Sequence, residues 1–210
     1  MNRRHAVTLF LDLVVILTGT LLAAGCSLKK QYPAKHSYVI EAQRVGEARA
    51  ATASGVLRIR NLQVAAPFEG KGFVYRNSGL GYQTDFYHEF LVAPRALLTE
   101  QTRQWLGTSG LFRFVLDSAS KADATHNLEG NVSALYGDYR DAASPKAVLV
   151  VEFFLVNEQS ASPEIVFHQS YRREVPLENR APETLAKGWG KALEQILTGL
   201  EHDLTSALPK

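Results

Sequence analysis

Alternation of apolar and polar residues predicts several β-strands in the second half of the chain. In residues 128–136, even positions are mostly apolar and odd positions mostly polar, which is typical of a strand with one wet face. Residues 147–156 are apolar at both parities and predict a central strand covered on both sides. The apolar parity shifts between Ile59 and Leu62, which predicts a bulge near Asn61. Shorter runs predict further strands near residues 37–40, 57–64, 73–76, 82–87, 112–116 and 165–175.

Turn residues and helical spacing complete the expected fold. The segment 77–81 is rich in turn residues and predicts a β-hairpin between its flanking strands. A first helix is expected from Pro94 to Leu106, with Gly107 as its stop. A second is expected from Pro182 to about Ala207, because apolar residues recur there at spacings of three and four. The predicted fold class is α+β: a mainly antiparallel sheet with two principal helices in a single domain.

The beginning of the chain follows a different pattern. A basic start precedes an apolar stretch over residues 6–22, and small residues then lead to Cys26, the only cysteine. This arrangement predicts a lipoprotein signal peptide over residues 1–25. A membrane span is the alternative, but spans need about 20 apolar residues, and Asp12 would cost about 2.5–3.5 kcal/mol near the middle of one. Ala23 stands where a larger aliphatic residue is usual, which predicts slower cleavage.

Cys26 is the predicted lipidation site. No second cysteine exists for an intramolecular disulfide, so we expect its thiol to carry diacylglycerol as the first residue of the mature protein. Three acyl chains, palmitate among them, would anchor the chain permanently at about 0.8 kcal/mol per buried CH₂. Ser27 follows Cys26, where an Asp would be the usual signal that retains a lipoprotein at the inner membrane. We therefore expect the protein to lie on the periplasmic face of the outer membrane. Residues 26–36 are the predicted lipidated tether, and residues 37–210 the folded domain.

Charge and motifs favour no catalytic or nucleic-acid function. Without the predicted signal peptide, 23 − 2 = 21 basic and 21 − 1 = 20 acidic side chains remain, and no basic run suggests a nucleic-acid partner. The histidines lack metal-ligand spacing, Ser109 is not in a nucleophile elbow, and the glycines form no phosphate-binding loop. We expect no catalytic residue, metal site or cofactor, and we do not expect an enzyme.

Aromatic residues are dense between Phe73 and Phe112. Strand parity places some of them on a face that is not wholly core, and Tyr and Arg are favoured in binding sites. Packing within the core is the alternative explanation. The predicted partner-binding residues are Tyr75, Arg76, Tyr82, Asp85 and Tyr87.

Several segments resemble the ABC-type transport auxiliary lipoprotein family. The similarity extends from Tyr38 to the last helix, and its most specific part is the block Tyr82-Gln-Thr-Asp-Phe-Tyr-His-Glu-Phe-Leu-Val-Ala-Pro94. Further matching segments are Phe73–Arg76, Leu98–Gln101, Trp105-Leu106, Gly110–Phe112, Leu128–Gly130 and Leu135–Tyr139. Members of this family include lipoproteins similar to paraquat-inducible protein C.

The resemblance implies an auxiliary subunit of an intermembrane lipid transport system. Such a subunit would dock a mammalian-cell-entry (MCE) protein of an ABC transporter complex to the outer membrane, in a homo-oligomeric ring as one arrangement, while a partner ATPase supplies energy. Two alternatives stay open from the residues. One is a periplasmic lipid-binding carrier with a cavity between the sheet and the last helix; the other is an envelope assembly factor.

Overall fold

The computed structural model describes residues 33–46 and 55–208. The predicted signal peptide, Cys26 and most of the predicted tether lie outside these ranges. Both predicted helices and the predicted hairpin are confirmed. The helices are α1 (Pro94–Thr108) and α2 (Pro182–Ala207), and a short 3₁₀ turn covers Ala66–Phe68. The strands are β1 (His36–Tyr38), β2 (Val56–Ile59), β3 (Gln63–Val64), β4 (Gly72–Arg76), β5 (Tyr82–Phe90), β6 (Phe114–Leu116), β7 (His126–Asp138), β8 (Lys146–Asn157) and β9 (Glu164–Pro176).

Proline begins both helices. Pro94 and Pro182 stand at the start of α1 and α2, where the missing N–H is not needed and the fixed φ suits the first turn. The predicted stop of α1 at Gly107 is close to its end at Thr108. The glycine near this end that has a left-handed backbone, however, is Gly110, at φ 77°.

The nine strands form one mixed sheet centred on β7. On one side of β7, β8 and then β9 follow in two long antiparallel ladders. On the other side, β2, β3 and β4 pair with successive parts of β7, all in parallel. β5 pairs antiparallel with β4, and β1 and β6 add parallel pairs to β5 and β2. The α+β class is confirmed, but the sheet is mixed, because periodicity cannot tell which strands pair in parallel.

The predicted bulge near Asn61 is present. Ile59 pairs with Leu128 and Gln63 with Asn131, so the chain advances four residues while β7 advances three. The extra residue separates β2 from β3 and moves the apolar side chains back to the core face.

A second bulge lies in β7, and it makes part of the sequence prediction wrong. Val132 pairs with Val151, but Ala134 pairs with Val150, so Ser133 is an extra residue. Side-chain parity therefore reverses after it. Leu128 and Val132 share one face, whereas Ala134 and Tyr136 lie on the opposite face, although a single face was expected for all four.

The core lies between the sheet and the helices. The side chains of the predicted α2 stripe are at most 1% exposed: Leu185, Trp189, Leu193, Ile196, Leu200 and Leu204. Trp189 contacts the rings of Phe73 and Phe90 at 4.9 and 5.2 Å between centroids. None of the helices in the described part of the chain is long and apolar enough to span a bilayer.

Two glycines allow α2 to approach its neighbours closely, as their unfavourable position in a helix predicts. A Cβ on Gly190 would collide with the backbone carbonyl of Glu41, and one on Gly188 would meet Leu177 and Ala147, the latter at 2.8 Å. The space beneath α2 is therefore filled by direct contact of backbone and side chains.

Candidate interaction surface

The β4–β5 hairpin carries all five predicted partner-binding residues. Arg76 pairs with Tyr82 across the hairpin, and the intervening turn closes with the Asn77 amide donating to the Gly81 carbonyl at 3.0 Å. Within the turn, the Arg76 guanidinium donates to the Gly79 carbonyl at 2.6 Å. Leu80, at the tip, is 97% exposed. The turn thus presents an apolar side chain to solvent from a well-bonded backbone.

A bulge with three extra residues interrupts β5 at Asp85. Val74 pairs with Thr84 and Gly72 with Glu89, so β5 advances five residues while β4 advances two. The Asp85 carboxylate stabilises the extra residues: it accepts from the amides of Tyr87 and His88 at 2.7 and 3.0 Å. The bulge is thus bonded by a side chain where the ladder is broken.

Two further side chains complete the environment of Asp85. The Tyr75 hydroxyl donates to its carboxylate at 2.7 Å, and Nδ1 of His88 lies 2.8 Å from it. Burial alone would raise the pKa of Asp85, but the hydrogen bonds from Tyr75, Tyr87 and His88 outweigh burial and lower that pKa below its ordinary value. Burial, followed by the Asp85 hydrogen bond, raises the pKa of Tyr75. Asp85 is therefore an ionised structural clamp.

The structure divides the five predicted residues into separate environments. Tyr75 and Asp85 bond to each other on the face that α2 covers, where Tyr75 also stacks on Tyr139 at 5.2 Å. Arg76 and Tyr82 lie together on the opposite face. Tyr87 is half-buried beyond the bulge, and its ring contacts Phe86 edge-on. Ordinary alternation separates Arg76 and Tyr82 from Tyr75 and Asp85, because Tyr75 and Arg76 are adjacent in β4, and the bulge changes parity only for Tyr87, which follows it.

The open face of the sheet, opposite α2, contains an arginine–tyrosine cluster of Arg76, Tyr82, Tyr136 and Phe68. The guanidinium carbon of Arg76 lies 5.5 and 6.0 Å from the ring centroids of Tyr82 and Tyr136, within cation–π range. The rings of Tyr82 and Tyr136 meet edge-on at 5.5 Å, and Phe68 stacks on Tyr136 at 5.9 Å. Tyr136 and Phe68 were not predicted, because the β7 bulge brings Tyr136 to this face and the 3₁₀ turn supplies Phe68.

Ion pairs border this cluster on the β7–β9 side. Arg140 donates to both carboxylate oxygens of Asp138, at 2.6 Å from Nη2 to Oδ2. The hydrogen bonds from Arg140 lower the pKa of Asp138 by more than burial raises it, and the charge of Arg76 lowers it further. Glu174 accepts from Arg172 at 2.6 Å and from Lys146 at 3.2 Å. These carboxylates are ionised at neutral pH and already have cationic partners.

Exposed apolar side chains of the described residues are concentrated in the β4–β5 hairpin and in the two residues that follow β5. These segments carry five of the ten large hydrophobic side chains that are exposed in the described residues: Leu80, Tyr82, Phe86, Leu91 and Val92. Phe86, at 69% exposure, also lies under the ammonium of Lys35 at 4.7 Å. Exposed apolar side chains grouped on one element are typical of interaction surfaces.

Grooves in the described surface have mixed linings of charged, polar and apolar residues. The one between the segment after β1 and α2 has a volume of about 600 Å³, and its lining includes Glu41, Lys187, Lys191 and Glu194. Within residues 33–46 and 55–208, no three His, Cys, Asp or Glu residues are placed to hold a metal ion.

No family model matches this chain, and no curated protein matches it. Its fold is nevertheless shared with solved structures. Protein XCC0632 from Xanthomonas campestris, of the DUF330 family, is 15% identical, with a TM-score of 0.67 over 83% of this chain and 94% of that one. An uncharacterized protein is 13% identical, with a TM-score of 0.64 over 81% and 99% of the two chains. Hypothetical protein CT253 from Chlamydia trachomatis is 10% identical, with a TM-score of 0.52 over 73% and 99%. Identities this low establish the fold alone, and the sequence resemblance to the ABC-type transport auxiliary lipoproteins stays a prediction.

Proposed function

We propose that this protein is an outer-membrane-anchored periplasmic subunit that docks an MCE/ABC-type lipid transport assembly to the outer membrane. The observation that carries the proposal is the exposed apolar hairpin on a domain whose interior is filled. Lipidated Cys26 would hold the domain at the membrane, and the hairpin would contact the MCE protein. Association through an apolar, aromatic surface is driven by the same burial that drives folding.

A carrier needs room for a lipid, and the packing beneath α2 argues against such room. Ligand cavities are mostly apolar, whereas the space where a carrier's cavity was expected is occupied by the α2 stripe, at most 1% exposed. The groove beside α2 is open and has a mixed lining, with charged side chains such as Lys187 and Glu194 beside apolar ones such as Val39 and Ala186. Docking is therefore the better-supported function, and carriage of lipid is its alternative.

Assembly of several copies into a ring belongs to the same proposal. Strand β9 is 13 residues long and pairs only with β8 among the described strands, so its other edge offers backbone N–H and C=O groups to a second strand. Ile165, in this strand, is 60% exposed. We expect Ile165→Lys to shift the lipidated protein to smaller particles in light scattering. Phe86→Ser is the control: it also removes an exposed apolar side chain, but away from the β9 edge, and should leave the particle mass unchanged. Unchanged particle mass in Ile165→Lys would exclude this edge.

In-cell crosslinking tests the docking surface. A photoreactive residue would replace Tyr82 or Phe86, with Lys187 on the exposed side of α2 as the matched control. We expect an MCE-domain protein among the adducts of the two hairpin positions and none from Lys187. Adducts with phospholipid alone would favour the carrier, and an identical set of adducts from all three positions would contradict a specific surface.

Removal of the anchor tests the other half of the proposal. Cys26→Ala should release a folded domain into the periplasm and impair the outer-membrane barrier, because the transport assembly would lose its attachment. The measurement is membrane fractionation together with sensitivity to detergent or antibiotic. A normal barrier in cells whose Cys26→Ala protein is wholly soluble would count against docking.

A further inference from the structure

Arg76 differs from Arg140 and Arg172, which lie on the same side of the sheet, in having unused hydrogen-bond donors. A guanidinium has five N–H groups, and that of Arg76 donates to one acceptor, the Gly79 carbonyl. Within the described residues it has no carboxylate within 4 Å, and its Nε is buried without a partner. Arg140 and Arg172, by contrast, each donate twice to a neighbouring carboxylate.

The surroundings of Arg76 leave positive charge without a counter-charge. Strand register places Arg76 beside Asp138 and Asp138 beside Lys146, and Arg172 lies one strand further on. Four cations therefore face three carboxylates here: Arg76, Arg140, Lys146 and Arg172 against Asp138, Asp141 and Glu174. The surplus of one positive charge corresponds to Arg76, whose neighbours are aromatic rings.

The rings hold this guanidinium in position. The ring centroids of Tyr82 and Tyr136 lie within 6.0 Å of it, and Phe68 contacts both of these rings. The Tyr82 hydroxyl makes no hydrogen bond to any described residue, and its side chain is 46% exposed. A preorganised guanidinium with a neighbouring free hydroxyl presents several donors to one incoming anion, at little entropic cost.

We propose that the arginine–tyrosine cluster binds a phosphate group, through Arg76 and the hydroxyl of Tyr82. The planar fork of arginine matches two phosphate oxygens, and a third oxygen remains for the tyrosine. Inorganic phosphate and the headgroup of an anionic phospholipid share this chemistry. Leu80 adjoins the Gly79 carbonyl that Arg76 holds and is 97% exposed, so an acyl chain would also have an apolar neighbour. The site does not depend on the identity of a docking partner.

Titration of the lipidated protein in a non-ionic, phosphate-free detergent tests the site by NMR. The probes are inorganic phosphate and short-chain phosphatidylglycerol, and the signals are the Arg76 Nε–H and the amides of Gly79 and Tyr82. We expect saturable shifts at these signals with at least one probe. Saturation by phosphatidylglycerol alone would assign a lipid headgroup, and saturation by both at similar concentration would assign the phosphate group itself.

Three variants separate binding from folding. Arg76→Gln should weaken binding about tenfold or more, because charge-assisted bonds are the strong ones. Tyr82→Phe keeps the ring and should weaken binding a few-fold. Arg95→Gln, which removes an exposed arginine that donates to Gln63 on another part of the sheet, should leave binding unchanged. Absence of site-specific shifts, equal effects of Arg76→Gln and Arg95→Gln, or tighter binding of a poly-glutamate peptide than of either phosphate probe would overturn the proposal.

Discussion

The two faces of strand β8 differ in how deeply their side chains are buried. On the face that α2 covers, Ala147, Leu149, Val151, Phe153 and Leu155 are all fully buried. On the open face, apart from the buried Val148, positions such as Val150, Phe154 and Val156 are only half-buried. Alternate residues of a single strand therefore belong to a closed core and to an accessible surface.

The two faces also differ in how their polar groups are used. Beneath α2, the polar groups bond mostly to each other: the indole N–H of Trp189 donates to the Tyr136 carbonyl at 3.3 Å, and the Tyr171 hydroxyl donates to Asp203 at 2.6 Å. On the open face, Glu152 pairs with His168 at 2.7 Å and Phe154 stacks on the same ring at 4.5 Å. The covered face supplies the core that stabilises the fold. The side chains of the open face and the hairpin are therefore available for recognition.

Truncation of the central tryptophan should give the largest difference between the two regions. Trp189 is fully buried and contacts Phe73 and Phe90, so Trp189→Ala should lower the free energy of unfolding by about 3–5 kcal/mol. Phe86→Ala removes an aromatic ring that is 69% exposed and should change it by no more than about 0.5 kcal/mol. Chemical denaturation measures both, and similar losses would mean that Phe86 is part of the core.

Glycines give the next largest contrast, because the same substitution should have opposite signs at two helical positions. Gly190→Ala would force a Cβ against the Glu41 carbonyl, where backbone must move, and we expect a loss of about 1–3 kcal/mol. Gly107 in α1 has open space around its Cβ position, so Gly107→Ala should gain up to about 1 kcal/mol from helix propensity. Denaturation of both variants checks the signs; a gain at Gly190 would show that α2 can shift away from the segment after β1.

The elements of the covered face could largely be predicted from the sequence. The α2 stripe repeats at helical spacing, and every member of it is buried. Prolines begin both helices, and the parity shift after Ile59 corresponds to a real bulge. These features depend on local residue order, which a single sequence contains.

The open face could not be predicted in the same way, because it depends on pairings between distant segments. Ser133 in β7 and the bulge after Asp85 in β5 each change side-chain parity. The Ser133 bulge brings Tyr136 to the face of Arg76, and the β5 bulge breaks the alternation between Asp85 and Tyr87. An extra residue in a strand leaves little trace in a pattern where both parities carry apolar side chains, as Ala134, Leu135 and Tyr136 do.

The smallest of the expected effects distinguishes the clamp within the hairpin from its exposed surface. Tyr75→Phe removes one hydrogen bond to Asp85 and should lower the free energy of unfolding by about 0.5–1.5 kcal/mol at neutral pH. Tyr87→Phe is the control, because it is the Tyr87 backbone amide, and not its hydroxyl, that bonds Asp85.

The pH dependence of this loss follows from the lowered pKa of Asp85. A carboxyl whose pKa is lower in the folded than in the unfolded state stabilises the fold above its unfolded pKa, and that contribution disappears as the pH falls through the folded pKa. Without the Tyr75 hydroxyl, the pKa of Asp85 should move back towards its ordinary value. The stability difference between wild type and Tyr75→Phe should therefore be full at neutral pH and shrink on acidification, as measured by denaturation across a pH series. A difference that stays constant down to acid pH would show that the Tyr75 hydroxyl stabilises the fold equally when Asp85 is protonated, and that Asp85 does not depend on it for its charge.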